Sequence, residues 1–273
     1  MSSESLVRTA YPPIAGWRKR KTSLLEFYKC PGCGGAQESL FIDENDHSQC
    51  FKCNQKFPKE NFGTAIVKRG VVECGNCGTD VHLTPSNANM FGIGYLCSQC
   101  QSYVAVEYGN RLVDPIEALK PSWNPSLQQR GKQMETDLLF LPCRTTKDYL
   151  IVRIMQLIAK TEDGRFMLVR KGDQAAALLL GSDQQKYLGF IVWHTEKAHA
   201  TLHQIFIVPD ERKKGLATRL IEYWVKEYAD KISNTFGIEA PNDKALRLHA
   251  KLGHLKIDGD TATGVKCFFA PTM

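Results

Sequence analysis

The sequence predicts an α/β domain preceded by two small β-type modules that are rich in cysteine. Three features support this prediction. Eight of the ten cysteines form four C-x-x-C pairs, all within the first 100 residues. Residues 135–273 alternate between strand-like and helix-like patterns. Between these parts, residues 114–132 contain three prolines and few β-branched residues, which is typical of a linker.

These features divide the chain into five parts. We expect a basic arm at 1–22, cysteine modules at 23–65 and 66–112, a linker at 113–134 and the α/β domain at 135–273. The composition, 43% apolar and 23% charged, excludes disordered, collagen-like and fibrous proteins. Because the sequence has no long apolar run and no signal-peptide pattern, we expect a cytoplasmic protein without a membrane partner.

The positive charge is concentrated at the N-terminus. The chain has 35 Lys and Arg against 29 Asp and Glu, a net charge of +6, and no acidic residue lies between Ser5 and Leu25. This arm contains Arg8, Arg18, Lys19, Arg20 and Lys21 together with Tyr11 and Trp17. Basic and aromatic side chains are suited to phosphate contacts and base stacking. A solvated tail has the same composition, so both interpretations stay open.

The C-x-x-C pairs predict two metal sites. One comprises Cys30, Cys33, Cys50 and Cys53, and the other comprises Cys74, Cys77, Cys97 and Cys100. Each pair supplies two thiolates from one tight turn, and two such turns complete the tetrahedral ligand set of a structural zinc ion. Gly34 and Gly78 directly follow two of these turns and relieve backbone strain there. We therefore expect two zinc ribbons holding two Zn²⁺ ions.

Alternative roles for these residues are less consistent with the sequence. Disulfides would need an oxidising compartment, and a redox C-x-x-C would need a βαβ context. His47 and His82 lie inside the two loops and can each replace a cysteine ligand. With four thiolates available in each module, we expect both histidines at the surface. Whether zinc or iron fills the sites stays open.

The first ribbon has a resemblance of its own. Residues 28–35 (YKCPGCGG) and 46–53 (DHSQCFKC) are similar to the zinc-binding domain of phage-type primase-helicases, in which a ribbon helps to engage template DNA. The resemblance implies nucleic acid, with DNA favoured, as the partner of the ribbons and the arm. A primase core is absent from the rest of the sequence. Docking to a protein is the alternative role of the ribbons.

The C-terminal part contains a predicted anion site. Residues 177–181, 187–193 and 201–208 are predicted strands, and a basic turn with one glycine follows the third of them. An amphipathic helix then begins, with Leu216, Leu220, Trp224 and Tyr228 recurring every four residues. Free amides at the start of a helix bind anions. The basic side chains of Arg212, Lys213 and Lys214 lie in the turn that leads to them.

Two motifs here resemble the GNAT superfamily of N-acetyltransferases. Arg212-x-x-Gly215-x-Ala217 matches the R/Q-x-x-G-x-G/A signature, and residues 240–254 look like the family's N-x-x-A-x-x-L-Y-x-x-x-G-F helix after a fifth strand at 234–240. The resemblance implies a mixed, mostly antiparallel sheet with helices on both faces, and acetyl-coenzyme A as cosubstrate. The implied cofactor-binding residues are Ile207, Val208, Arg212, Lys213, Lys214, Gly215, Leu216, Ala217, Thr218 and Asn242.

At the candidate catalytic residues the sequence departs from the family's pattern. His249 stands where the family usually has the tyrosine that protonates the departing thiolate. An imidazole can serve as that acid, or it can be a packing residue. His203 on the fourth strand and Glu239 at the end of the fifth would flank the acetyl group if these strands splay apart as in the family. The alternative is that both are ordinary strand residues.

We therefore expect an acetyl-coenzyme A dependent N-acyltransferase that zinc ribbons direct to nucleic acid or to a protein bound to nucleic acid. The acceptor is a protein amine, a nucleobase amine or a small molecule, and the first ribbon suggests a phage or mobile-element origin. The alternative function is a nucleic-acid-binding protein whose GNAT domain is a scaffold without catalysis. The intact loop at residues 212–218 favours the enzyme, whereas the missing tyrosine favours the scaffold.

Overall fold

A computed structural model describes residues 15–88, 94–108, 111–125, 130–163, 166–183, 185–195, 198–258 and 261–270. Arg8 and Tyr11 of the predicted basic arm lie outside the described residues, as do the side chains of Lys19 and Arg20. The chain divides into two compact units at residues 116 and 117. We call them the cysteine unit and the C-terminal unit. None of the described helices has the length and apolar character needed to cross a membrane.

The described residues of the cysteine unit form nine strands. They are β1 (Trp17–Lys29), β2 (Ala36–Gln37), β3 (His47–Gln49), β4 (Lys56–Pro58), β5 (Gly63–Cys74), β6 (Asp80–His82), β7 (Gly94–Leu96), β8 (Tyr103–Tyr108) and β9 (Arg111–Val113). They form a four-stranded sheet in the order β2-β1-β5-β6, a three-stranded sheet β7-β8-β9 and the pair β3-β4.

The long antiparallel pair β1-β5 joins the two cysteine modules. The pair extends from Trp17 opposite Cys74 to Lys29 opposite Gly63. Residues 17–22, which we expected in the basic arm, are therefore part of a paired strand. The expected boundary at residues 65 and 66 falls inside β5, so the two modules share one sheet.

The core of the cysteine unit is small, and the cysteines are part of it. Around the second module Val72, Val81 and Val104 pack with Cys74 and Cys97. Around the first module the buried cluster comprises Cys30, Cys50 and Phe62. So little apolar burial cannot by itself offset the conformational entropy of about 100 residues. Cross-linking by metal ions is a common means by which such modules are stabilised.

In the C-terminal unit, the part of the chain that the structure describes forms another nine strands and most of the α-helices. The strands are β10 (Lys132–Glu135), β11 (Leu138–Pro142), β12 (Ala175–Gly181), β13 (Tyr187–Thr195), β14 (Ala200–Ile207), β15 (Phe236–Glu239), β16 (Leu255–Asp258), β17 (Thr261–Gly264) and β18 (Cys267–Ala270). The helices are α2 (Thr146–Glu162), α3 (Leu216–Trp224) and α4 (Asp243–Lys251), and the short α1 (Pro115–Ala118) precedes them. One turn of π-helix, Val225–Ala229, continues α3.

Seven strands of this unit form one mixed sheet in the order β10-β11-β12-β13-β14-β15-β18. Neighbours from β10 to β14 are antiparallel, whereas β14-β15 and β15-β18 are parallel. This arrangement confirms the mixed, mostly antiparallel sheet that the family resemblance implied. The hairpin β16-β17 forms a separate two-stranded sheet.

Both faces of the seven-stranded sheet are covered, as expected. Successive strand residues point to opposite faces, so the apolar run of β11 serves two cores. Leu138 and Phe140 pack in the core that contains Leu220 and Trp224 of α3. Leu139 and Leu141 pack in the other core, which contains Met155 and other residues of α2.

Candidate functional site

The two sets of four cysteines are assembled in the cysteine unit. Within each set, all the sulfur atoms lie within 4.8 Å of one another. Among the Sγ–Sγ distances are 3.7 Å between Cys33 and Cys50 and 3.5 Å between Cys77 and Cys97. Four thiolates at Zn–S distances of about 2.3 Å in a tetrahedron have sulfurs separated by about 3.8 Å. Both clusters therefore fit a tetrahedral zinc ion.

All four C-x-x-C turns adopt the same backbone geometry. In each turn, the N–H of the residue after the second cysteine donates to the carbonyl of the first cysteine, at 2.8–3.0 Å. That residue is in the left-handed region in every case. The four residues are Gly34, Asn54, Gly78 and Gln101, with φ between 58° and 76°. Only the two glycines were predicted from the sequence to relieve strain at these turns, although asparagine also tolerates this region.

The two histidines of the loops have partners away from the sulfurs. His47 Nδ1 is 2.8 Å from the carbonyl oxygen of Asn45. His82 Nδ1 is 3.2 Å from the hydroxyl of Ser23. Four thiolates already complete each cluster, so neither histidine is needed as a ligand. The cysteine clusters are consistent with zinc ribbons, as the sequence predicted.

In the C-terminal unit, strands β14 and β15 separate after a short paired segment. Over the described residues they pair only at Thr201 opposite Gly237 and at Leu202 opposite Ile238. A side-chain carbon at Gly237 would lie 2.6 Å from the hydroxyl oxygen of Thr201, so only glycine permits this close approach. The rest of β14, from His203 to Ile207, extends beyond its pairing with β15. Pairing of β14 with β15 therefore ends next to His203 and Glu239, where the family resemblance implied a splay, and we call this end of the pairing the splay.

His203 and Glu239 meet at this splay. Their side chains come together with His203 Nδ1 2.5 Å from Glu239 Oε2. The side chain of Glu239 is 3% exposed and that of His203 is 14% exposed. A carboxylate can only accept, so Nδ1 carries the proton and Nε2 of a neutral His203 is left as a proton acceptor. The next residue, Ala240, has a φ of 37°, so the backbone leaves the extended conformation directly after Glu239.

The loop after β14 leads into α3 and leaves helix amides open. Lys213 and Gly215 both have positive φ, 63° and 76°. The first backbone bond of the helix runs from Arg219 N–H to Gly215 O at 3.1 Å, so the amides of Leu216, Ala217 and Thr218 precede the helical hydrogen-bond ladder. A side-chain carbon on Gly215 would meet nothing within 4 Å. These amides can bind a phosphate group.

Two of the three basic side chains of this loop, those of Arg212 and Lys214, are paired, which the sequence did not indicate. Arg212 donates two hydrogen bonds to the carboxylate of Glu162, at 2.7 and 2.6 Å, and a third to the carbonyl of Ile207 at 2.9 Å. Lys214 Nζ lies 2.8 Å from Glu211 Oε2. Arg212 therefore fixes the loop to the end of α2. The Val208 amide, predicted to face the cofactor, donates to the carbonyl of Leu188 at 2.9 Å.

Asn242 precedes the first residue of α4, and His249 lies in its last turn. Asn242 caps the helix, with its Oδ1 accepting from the Ala245 amide at 2.9 Å and its Nδ2 donating to Asp163 at 3.1 Å. His249 is 1% exposed, and its Nδ1 lies 3.0 Å from that of His254. Burial, together with the neighbouring His254, lowers the pKa of His249 to about 4. Such a histidine is neutral at pH 7, which disfavours the protonated form that a general acid needs.

Residues 135–254 match the model of the Acetyltransferase (GNAT) family. These residues form a GNAT acetyltransferase domain, as the sequence motifs indicated. The solved structures that resemble the chain include the xEco2 acetyltransferase domain, at 10% identity and a TM-score of 0.38, over 45% of this chain and 89% of that one. The same domain bound to a coenzyme A conjugate gives 11% identity and a TM-score of 0.37, over 44% and 90%. No curated protein matches the chain.

Proposed function

We propose that this protein is an acetyl-coenzyme A dependent N-acetyltransferase that two zinc ribbons direct to nucleic acid. One observation carries the catalytic half of this proposal. At the splay, His203 of β14 pairs with the buried Glu239 of β15, and β14 continues into the loop that leads to the open amides of α3. A proton acceptor and an anion site in one strand-loop-helix segment are what acyl transfer from a phosphate-bearing donor requires.

The cosubstrate fits the open helix start. The amides of Leu216, Ala217 and Thr218 would hold its pyrophosphate, and Lys213 would add positive charge nearby. Gly215 keeps the approach to these amides free of a side chain. When bound, acetyl-coenzyme A supplies an activated acetyl thioester. The carbonyl of Ile207 and the carboxylate of Glu162 fix Arg212, and this contact holds the loop in the conformation that presents the amides.

His203 is the proposed general base. The Glu239 carboxylate accepts the Nδ1 proton and so fixes the tautomer in which Nε2 is free to take a proton. An acceptor amine arrives as an ammonium ion and must lose a proton before it can attack a carbonyl carbon. Transfer of that proton to His203 Nε2, directly or through water, produces the nucleophile. The imidazolium that forms is stabilised by the buried Glu239 beside it.

The proposed nucleic-acid partner rests on charge in the cysteine unit. Strands β1 and β5 together carry seven Lys and Arg but only two acids, Glu26 and Glu73. Lys29 and Lys68 on these strands are exposed. A strand pair with this charge attracts phosphates. A phage or mobile-element origin would explain the resemblance of the first ribbon to primase-helicases and belongs to the same proposal.

A scaffold without catalysis is the alternative, and it is favoured by His249 in place of the family's tyrosine. One experiment separates the two functions. The zinc-loaded protein is incubated with radiolabelled acetyl-coenzyme A and, in parallel, with duplex DNA, single-stranded DNA, RNA and a protein extract. Label that enters any acceptor, and that is lost in the His203→Gln variant, supports the enzyme. If the acceptors take up the same amount of label with wild type, with His203→Gln and with no protein added, the result supports the scaffold.

A further inference from the structure

The cysteine unit contains a cavity that the proposed acetyl transfer does not use. Its volume is about 390 Å³, within the range of small-ligand pockets, roughly 300–1,000 Å³. It opens between β5 of the four-stranded sheet and the three-stranded sheet β7-β8-β9. Lys68, Arg69, Leu83, Tyr95, Glu107 and Leu112 line it among the described residues.

Two cationic residues of β5, Lys68 and Arg69, border this cavity. They are consecutive strand residues, so their side chains leave β5 on opposite faces. The guanidinium carbon of Arg69 lies 5.2 Å from the centre of the Phe27 ring, which holds that side chain in place. Lys68 is exposed, so its ammonium group is the one that favours an anionic ligand group here.

The other side presents an oriented carboxylate. The hydroxyl of Tyr95 donates to Glu107 Oε1 at 2.5 Å. Burial of Tyr95 and the nearby Glu107 carboxylate raise the pKa of the phenol, so Tyr95 keeps its proton and its role as donor. This bond fixes the carboxylate and leaves Glu107 Oε2 available to accept from a ligand. Leu83 and Leu112 add an apolar surface beside it.

We propose that this cavity binds one unpaired nucleotide of a single strand, with its phosphate at Lys68 and the amino group of its base at Glu107. A nucleotide combines an anionic group, a flat apolar body and an amine donor, which match the ammonium group of Lys68, the apolar surface of Leu83 and Leu112, and the carboxylate of Glu107. The inference rests on the proposed nucleic-acid partner and adds a preference for particular bases.

The preference follows from hydrogen-bond chemistry. Cytosine carries an exocyclic amine that a carboxylate accepts, whereas thymine has a carbonyl oxygen in that place. We therefore expect single-stranded oligodeoxycytidylate to bind about tenfold more tightly than oligothymidylate, since one good base contact gives roughly this discrimination. Glutamine at position 107 can still accept from Tyr95, but it offers an N–H where the carboxylate had an acceptor.

The test is fluorescence anisotropy of the full-length, zinc-loaded protein with labelled oligomers of about twelve nucleotides. Glu107→Gln should reduce the preference for cytidylate to less than about twofold, by loss of the single base contact. Lys68→Ala should weaken the binding of both oligomers. It should also lower the slope of log affinity against log salt by about 0.7. Glu73→Gln on the same strand and Lys56→Ala, which is paired with Asp43, are the matched controls and should bind as wild type. Zinc content verifies that each variant is folded.

The outcomes separate the two proposals. If wild type binds both oligomers equally, or if Glu107→Gln keeps the full preference, the cavity does not read a base, although the ribbons still bind nucleic acid. If both oligomers bind and Lys68→Ala changes neither affinity nor salt slope, the phosphate assignment is wrong. If neither oligomer binds wild type, this inference fails. The nucleic-acid half of the proposed function then fails only if duplex DNA and RNA do not bind either, and the acetyltransferase half is unaffected.

Discussion

Arg212 and Glu162 form a bidentate ion pair that joins the loop before α3 to the last turn of α2, with N–O distances of 2.7 and 2.6 Å. An acidic residue at the end of a helix is unfavourable beside the helix dipole, and the guanidinium of Arg212 offsets this. The next residue, Asp163, accepts from the cap residue of α4, Asn242. The end of α2 thus holds both segments that carry the GNAT motifs.

Removing this ion pair should loosen the anion site. In Glu162→Ala the partly buried Arg212 loses both charged acceptors, and we expect a loss of about 1–3 kcal/mol in the free energy of unfolding. The KM for acetyl-coenzyme A should rise more than kcat falls, because the loop presents the amides but does not react. Steady-state kinetics and thermal unfolding measure these effects. Glu227→Gln, which removes a surface pair with Lys231, should change neither.

Replacing the proposed general base should affect the rate. His203→Gln removes the proton acceptor, and we expect kcat to fall by roughly 10²–10⁴-fold with little change in KM. Glu239→Gln keeps the shape but loses the charge that supports the imidazolium, so its kcat should fall by a smaller factor. An unchanged kcat in both variants would show that the pair is structural. Coenzyme A binding by both variants verifies that the cosubstrate site is intact.

Metal content tests the two ribbons separately. The wild-type protein should hold two zinc ions per chain, and Cys30→Ser and Cys74→Ser should each hold about one, because each variant loses one thiolate of one cluster. Chelation should unfold the cysteine unit, since metal binding contributes on the order of 10 kcal/mol per site in such modules. Mass spectrometry under native conditions measures the stoichiometry. Cys143→Ala, outside both clusters, should retain two ions, and a loss there would contradict the assignment.

His249 should make the C-terminal unit sensitive to acid. Burial lowers its pKa from 6.5 to about 4, so the unfolded chain takes up a proton first as pH falls. The contribution of neutral His249 is complete above pH 6.5 and is lost progressively between pH 6.5 and 4, at about 1.4 kcal/mol per pH unit.

The variant His249→Phe should remove part of this pH dependence while keeping stability at pH 8, because it also removes the buried, unpartnered Nε2. Chemical denaturation at a series of pH values measures the effect, with His199→Gln as the control. Acetyl transfer by His249→Phe gives a second readout. Loss of transfer with normal folding would support the role of catalytic acid that the sequence suggested.

The regular parts of the fold were predictable because they depend on local patterns. The strands β12 to β15 lie within two residues of the predicted segments, and Asn242 caps α4 as expected. The C-x-x-C spacing likewise predicted both cysteine clusters. Each of these signals lies within a short stretch of sequence, where periodicity and capping are visible.

Contacts between distant residues could not be predicted. Glu162 is 50 residues from Arg212, and neither belongs to a pattern that indicates the other. The basic residues at 17–22 were assigned to an arm because their charge was visible, whereas their pairing with β5 depends on a partner about 50 residues away. His203 and Glu239 were expected to flank the acetyl group only through the family's splayed strands, because neither residue stands in a motif of its own. Their direct contact, across 36 residues of sequence, was not predicted.

Coenzyme A binding tests the central claim most directly. Titration calorimetry compares wild type with Gly215→Glu, which places a carboxylate before the open amides of α3, and with Gly253→Glu. Gly253 has a similar positive φ and similar open space, so this control carries the same backbone strain and the same charge at the end of α4. We predict that wild type and Gly253→Glu bind coenzyme A and that Gly215→Glu does not. Equal binding by all three proteins, or none by wild type at millimolar coenzyme A, would contradict the proposed cosubstrate site.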